Sequence, residues 1–168
     1  MTRLLPLEQH LHSHTDEDAL LHRLRRLPRR VQQVFLLSRL EQLPFTAIAE
    51  RLDLSVHAVE RHMHQALQGT QVRPDSFASA AGHWYVRLQN PQVSASERID
   101  FRRWLDAADE HLQAFHQTEL HWRRLLTPAR QLGQDGWYRQ GQAALSLGGC
   151  SIAAGLGLAA LLAMAYWV

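Results

Sequence analysis

The C-terminal end of the chain carries the feature that limits its fold most strongly. From Gly141 to Val168 no residue is charged. A helix over residues 143–168 is long enough to cross the roughly 30 Å hydrocarbon core of a bilayer. A buried core helix is the alternative, but such helices are usually shorter, and a chain of 168 residues has too little other apolar surface to surround one. We therefore predict a single transmembrane helix.

The charges around this segment predict its orientation. Arginines at positions 123, 124, 130 and 139 precede it, and no charged residue follows it. Because positive charge stays on the inner side of a membrane, we expect the N-terminus inside. Gly149, Ala153 and Gly157 recur at four-residue spacing, which would let two such helices approach closely, so a homodimer through this helix is a further possibility.

The composition excludes several kinds of chemistry. All 18 basic residues are arginines, which suits contact with phosphates, although a GC-rich genome produces the same bias. The one cysteine, Cys150, permits neither a disulfide framework nor a cysteine zinc site. His10, His12 and His14 alternate, but nothing fixes them as metal ligands. Without a Gly-x-Ser-x-Gly elbow or a phosphate loop we predict no enzyme, no cofactor and no functional metal.

The N-terminal part has the pattern of a small helical domain over residues 16–69, after a flexible lead over residues 1–15. Helices are predicted over 16–26, from Pro28 to Leu40 and from Pro44 to about residue 52. After a short turn at residues 53–55, Ser55 is a suitable N-cap for a fourth helix that ends near Gln68. Two helices joined by so tight a turn form a helix-turn-helix, which inserts its second helix into the major groove.

In the fourth helix, apolar residues at helical spacing mark the inward face, and the polar face is the candidate DNA-binding surface. The inward residues are Val56, Val59, Met63, Ala66 and Leu67. The candidate DNA-binding residues are Ser55, His57, Ala58, Glu60, Arg61, His64 and Gln65.

Residues 27–67 resemble region four of extracytoplasmic-function sigma factors, especially the FecI-like type. The matching features are Leu27-Pro28, Phe35-Leu36-Leu37, Ile48-Ala49-Glu50-Arg51-Leu52, Ser55-Val56, Val59 and Met63-His64 with Ala66-Leu67. The resemblance implies binding to RNA polymerase and to the −35 promoter element. A helix-turn-helix of the response-regulator type is the second possibility.

Three departures from that family affect the expectation. Glu60 and Gln65 stand where the FecI-like recognition helix usually has basic residues, and a carboxylate facing phosphates is repelled, so we expect weak DNA binding. Asp53 replaces the usual glycine of the turn, but it tolerates left-handed geometry. Too few residues precede Leu27 to encode the family's region two, so we do not expect a complete sigma factor. The chain could be a fragment of a longer hybrid.

The middle of the chain predicts a second helical domain over residues 80–126, after a linker over residues 70–79. Asn90-Pro91 separates its first two helices, and Ser94 and Glu97 form a capping box. Aromatic residues at helical spacing predict the core of a three-helix bundle. The residues expected inside are Ala81, Trp84, Leu88, Phe101, Trp104, Leu105, Leu112, Phe115 and Trp122. The fold class is therefore all-α, with a helix-turn-helix bundle, a small three-helix domain and one transmembrane helix.

This second pattern resembles the cytoplasmic N-terminal domain of FecR-type anti-sigma factors, in which a linker and a transmembrane helix follow. Residues 127–142 would be that juxtamembrane linker, which implies a single-pass protein of a bacterial inner membrane. The resemblance implies a FecI-like sigma factor, or the chain's own N-terminal domain, as a partner. The candidate sigma-binding residues are Trp84, Leu88, Trp104, Leu105, Phe115 and Trp122.

Three functions remain open at this point. The first is a sigma/anti-sigma hybrid that controls transcription initiation, with iron or siderophore uptake genes implied by the resemblance. The second is an anti-sigma interaction protein whose helix-turn-helix no longer contacts DNA. The third is a membrane-bound regulator of the response-regulator type, which would bind palindromic sites as a dimer.

Overall fold

The structure is a computed structural model that describes residues 5–140, with side chains from Thr15 onward. Within that range it is all-helical, as predicted, with eight α-helices and one 3₁₀ helix. In chain order these are α1 (Leu5–Arg26), α2 (Arg29–Leu40), α3 (Phe45–Leu52), α4 (Val56–Thr70), α5 (Ser76–Arg87), α6 (Ala95–Asp106), α7 (Asp109–Arg124), α8 (Leu126–Leu132) and the 3₁₀ helix Trp137–Arg139.

No helix within residues 5–140 is both long enough and apolar enough to cross a membrane. The transmembrane helix predicted over residues 143–168, with its small residues at 149, 153 and 157, lies outside the described residues. The side chains of the three alternating histidines at 10, 12 and 14 also lie outside them.

Local signals place the helix ends where the sequence predicts them. The Ser55 hydroxyl accepts a hydrogen bond from the backbone N–H of Ala58 at 3.1 Å and so caps α4. Asp53 ends α3 in the left-handed region, with φ of 52°. Ser94 and Glu97 form the expected capping box at the start of α6.

The core is centred on α2, which is enclosed on nearly every side. Val34 and Phe35 have no exposed surface, and neither do the two leucines that follow them. The same core includes residues from far along the chain, namely Val86, Trp122, Leu125, Ala129 and Tyr138. The Trp122 ring meets the Phe35 ring edge-on at a centroid distance of 5.7 Å. The two predicted domains therefore share one hydrophobic core.

Three segments differ from the sequence-based expectation. The linker predicted over residues 70–79 is shorter, because Asp75 caps α5 and that helix begins at Ser76. Helix α1 begins at Leu5, within the predicted flexible lead, and Pro6 suits its first turn. The predicted juxtamembrane linker contains α8 and the 3₁₀ helix, and Ala129 and Tyr138 are buried within it. A Cβ at Gly133 would lie 2.9 Å from both the Leu40 and the Tyr138 side chains, so close packing requires glycine there.

Helices α5, α6 and α7 lie where the aromatic pattern predicts a three-helix arrangement. Phe101 contacts three other rings, those of Trp84, Trp104 and Phe115. However, α6 buries none of its residues fully. Leu112, which was expected inside, is 56% exposed, because the inner face of α7 is formed by Phe115, Thr118 and Trp122 instead.

Candidate nucleic-acid interface

Helices α3 and α4 form a helix-turn-helix with a rigid turn. The backbone N–H of Leu54 donates to the carbonyl of Ala49 at 2.9 Å, which closes the left-handed end of α3. From α2, the Arg30 guanidinium donates to the Leu52 carbonyl at 2.8 Å. These bonds satisfy carbonyls that the end of α3 would otherwise leave unpaired, so α4 is held in a fixed direction.

The predicted DNA-binding residues separate into two groups on α4. Four of them are exposed, namely Ser55, His57, Arg61 and Gln65. Ala58 is only 8% exposed, and Glu60 and His64 face α5 rather than solvent. The expectation that all of these side chains point outward is therefore corrected for three of them: Ala58 is buried, and α5 covers the side of α4 that carries Glu60 and His64.

Helix α5 packs against α4 in an antiparallel direction through three side-chain pairs. The Gln68 amide donates to the Ser79 hydroxyl at 2.8 Å. One turn earlier on α4, the His64 and His83 rings lie with centroids 5.2 Å apart. At the next turn, Arg87 donates to Glu60 at 2.6 Å. The spacing of four residues on both helices makes these pairs a continuous contact along α4.

Glu60 is the most connected of these residues. Its Oε1 atom accepts hydrogen bonds from Arg87 and from the buried Asn90, the latter at 2.8 Å. Arg87 also donates to Glu97 at 2.8 Å, so one guanidinium joins α4 to the start of α6. Bonding to Glu60 and then to Glu97 raises the pKa of Arg87. Bonds from Ser94, with that from Arg87, lower the pKa of Glu97 to about 2.

This packing limits how α4 can meet DNA. A recognition helix enters a major groove about 12 Å wide, with its N-terminal residues nearest the bases. A helix with side chains is itself about 10–12 Å across, and a packed neighbour adds about 8–10 Å. Because Arg87 and Asn90 lie beside Glu60 in the first half of α4, α5 occupies space on that side of α4 that a groove wall would otherwise take.

The predicted sigma-binding residues occupy different environments. Phe115 contacts Tyr85 and Phe101, and the Trp104 ring stacks on His111 with centroids 4.5 Å apart. Three of them are half-buried, namely Trp84 on α5, Leu88 at the end of α5 and Leu105 on α6. Trp122 lies in the common core beside α2. It therefore contacts the chain's own helix-turn-helix domain and is not available to a second protein while this core is closed.

Sequence reasoning missed the α5 side of the interface. His83, Arg87 and Asn90 are not among the predicted site residues, yet they hold the recognition helix. Glu60 itself is the sequence signal for these residues, because a half-buried glutamate on the recognition helix needs a cationic partner. Across the described residues, no group of three or more His, Cys, Asp or Glu side chains is placed to hold a metal ion.

Two protein families match separate parts of the chain. Residues 17–68 match sigma-70, region 4, and residues 79–120 match a domain of unknown function, DUF4880. No curated protein and no solved structure matches the chain. A sigma-70 region 4 domain and a DUF4880 domain are thus present in one chain. The first of these indicates a sigma-factor-like, DNA-binding regulatory role, and it implies −35 promoter DNA and RNA polymerase as partners.

Proposed function

We propose that this chain is a membrane-tethered sigma/anti-sigma hybrid, in which the DUF4880 domain restrains the region 4 domain of the same molecule. The observation that carries the proposal is the contact between α5 and the recognition helix α4, with Arg87 bound to Glu60 at its centre. The resemblance of the second domain to FecR-type anti-sigma factors supports a regulatory role for that contact.

The contact is suited to reversible control. Glu60 and Arg87 keep 12% and 28% of their side-chain surface exposed, so the pair is neither fully solvated nor sealed in the core. Ion pairs of this kind contribute of the order of 1 kcal/mol, which is small enough to be overcome by a competing ligand. The linker between α4 and α5 is short, which raises the effective concentration of the two faces into the millimolar range. The closed form is therefore favoured by this pair together with the apolar contacts that Val86 and Trp122 make in the common core.

Glu60 fits this function better than it fits a simple DNA-contacting role. A carboxylate at this position weakens phosphate binding. In the closed form the same carboxylate accepts two hydrogen bonds from the DUF4880 domain. The departure from the FecI-like pattern is then explained by the second domain, whose contact requires an acidic partner on α4.

The membrane part of the proposal is supported by the sequence. The uncharged stretch from residue 141 onward is long enough to span a bilayer, and the arginines that precede it favour a cytoplasmic N-terminus in a bacterial inner membrane. Deletion of residues 143–168 should move the protein from the membrane fraction to the soluble fraction. Control of iron or siderophore uptake genes rests on the FecI and FecR resemblances.

A mobility shift on duplexes that carry a −35 element tests the restraint. We expect the full chain with Arg87→Ala and Asn90→Ala to bind about tenfold more tightly than the wild type, which corresponds to about 1.4 kcal/mol of lost closure. Arg103→Ala is the matched control, because it removes the same charge from an exposed side chain on α6 that pairs with its helix neighbour Asp100. It should leave the affinity unchanged apart from a small general charge effect.

The same experiment separates the other functions. If the double variant shows no sequence preference at low salt, the helix-turn-helix is a relic and the chain is an interaction protein only. If the wild type and the double variant bind a palindromic site equally, as dimers and without polymerase, the response-regulator type applies. If both bind a −35 element equally, the restraint by α5 is rejected.

A further inference from the structure

Residues 137–140 lie on the region 4 domain as a bound peptide would. The Gln33 amide donates to the Tyr138 carbonyl at 3.1 Å and to the Gln140 carbonyl at 2.7 Å. The Arg51 guanidinium donates to the carbonyl between them, that of Arg139, at 2.5 Å. Three consecutive carbonyls therefore receive hydrogen bonds from side chains of α2 and α3. These bonds hold the main chain of a short 3₁₀ turn, whatever side chains it carries.

The side chains of the same segment also have individual partners on the region 4 domain. The Trp137 ring lies under the Arg29 guanidinium, 3.2 Å from carbon to ring centroid. Tyr138 is 2% exposed and donates its hydroxyl hydrogen to Glu41 at 2.7 Å. Arg139 donates to the same carboxylate oxygen at 2.8 Å. The pattern recognised is two aromatic residues followed by a cation.

The receptor groups and the bound segment have different places in the chain. Arg29, Gln33, Glu41 and Arg51 all lie within residues 17–68, which match sigma-70 region 4, whereas residues 137–140 follow both matched families. Gln33 is 7% exposed, and both of its amide bonds go to this segment. The segment thus takes both donors of this amide, which water would have to satisfy if the segment left.

The charges agree with this geometry. The Tyr138 hydroxyl, and after it Arg139, lowers the pKa of Glu41. Burial, together with the bond to Glu41, raises the pKa of Tyr138. Glu41 therefore stays ionised and Tyr138 stays protonated over the whole neutral range, which keeps the tyrosine hydroxyl a donor.

We propose that the groove formed by Arg29, Gln33, Glu41 and Arg51 is a peptide-binding site of the region 4 domain, and that residues 137–140 of this chain are its resident, exchangeable occupant. The site uses no residue of α4 and so is separate from the DNA-facing surface. One consequence rests on the proposed function, in which the chain is tethered to a membrane. The occupied groove then keeps the region 4 domain within a few residues of the membrane segment. Because α8 is anchored in the common core through Ala129, release would free residues 134–140, which span up to about 25 Å if fully extended.

The test measures binding of a fluorescein-labelled peptide with the sequence of residues 134–140 to the full chain by anisotropy. In the wild type the resident segment occupies the groove at high effective concentration. We expect Tyr138→Ala with Arg139→Ala to empty it, so that the peptide binds this variant saturably and at least tenfold more tightly than it binds the wild type. Adding Glu41→Gln should remove that gain. A peptide with alanine in place of the tyrosine and arginine is the control and should not bind.

Equal peptide binding by the wild type and a helical double variant would overturn the proposal. If the double variant does not fold, hydrogen exchange in Glu41→Gln decides instead. Exchange at residues 134–140 should then be at least tenfold faster than in the wild type and unchanged in α4, and unchanged exchange at 134–140 rejects the site. Neither peptide binding nor hydrogen exchange in this test involves DNA. The outcome of both measurements is therefore independent of the proposed restraint of α4 by α5.

Discussion

The region 4 domain and the DUF4880 domain have similar lengths but differ in how they are stabilised. In the first, α2 is enclosed, and Val34 and Phe35 have no exposed surface. In the second, α6 has no fully buried residue, and Ile99 on it is 53% exposed. The inner helices of the second domain reach the common core through Val86 and Trp122. The second domain thus depends on the first for much of its core, so a change that opens their interface should loosen the second domain first.

The largest difference between the domains should appear when a core phenylalanine is removed. We expect Phe35→Ala to lower the free energy of unfolding by about 3–5 kcal/mol, because it leaves a cavity in the common core next to Trp122. Phe101→Ala removes a half-buried ring of the same size and should cost at most about 2 kcal/mol. Urea unfolding of both variants measures this. Equal losses would show that the two domains are equally well packed.

A pH titration of stability tests the contact between the two domains at His121. Its Nε2 atom lies 2.8 Å from the Thr70 hydroxyl, and burial, with Arg124 and Arg23, lowers the His121 pKa to about 4. The unfolded chain gains this proton near pH 6.5. Stability should therefore be complete above pH 6.5 and should decrease as the pH falls from 6.5 to 4.

Replacement of that histidine sharpens the test. His121→Gln should remove about 2 kcal/mol of the acid-induced loss, after allowance for the exposed part of the ring. His22→Gln, at an exposed position of α1, is the control and should leave the acid-induced loss as it is in the wild type. An identical profile in His121→Gln would mean that this contact does not report on the interface.

Removal of the two serine caps compares the local stability of α4 with that of α6. Ser55→Ala and Ser94→Ala each remove one side-chain bond to a helix N-terminus and should cost about 1 kcal/mol of local stability. Because α6 lacks a core of its own, Ser94→Ala should increase hydrogen exchange in α6 alone. Ser55→Ala should increase hydrogen exchange in α4 and in α5 together. Exchange confined to α4 would argue that α5 is not held by the recognition helix.

The smallest effect is expected on the open face of the DUF4880 domain. Ile99 and Leu112 are more than half exposed, so Ile99→Ala and Leu112→Ala should change the free energy of unfolding by less than about 0.5 kcal/mol each. Thermal unfolding measures both. A loss above about 1.5 kcal/mol would show that this face is covered in solution.

Features that depend on neighbouring residues could be predicted from the sequence. The Ser55 cap, the left-handed Asp53 and the capping box at Ser94 all follow from bonds that span three or four residues. The helix-turn-helix and its exposed positions, such as Arg61, follow from helical periodicity in the same way.

The rest depends on contacts between residues far apart in the chain. Glu60 reads as a solvent-facing residue by periodicity, and only its pairing with Arg87, 27 residues later, makes it part of an interface. Residues 127–140 read as a linker because they are polar. Their structure comes from partners such as Gln33, more than 100 residues away. No local pattern encodes such pairs.

Hydrogen exchange of α5 in the full wild-type chain, with and without a −35 duplex, tests the central claim most directly. If α5 covers the recognition helix, DNA must displace it, and exchange over Ser76–Arg87 should become faster when DNA binds, while α2 stays protected. If DNA binds and exchange in α5 stays the same or becomes slower, α5 does not restrain the recognition helix and the account is contradicted.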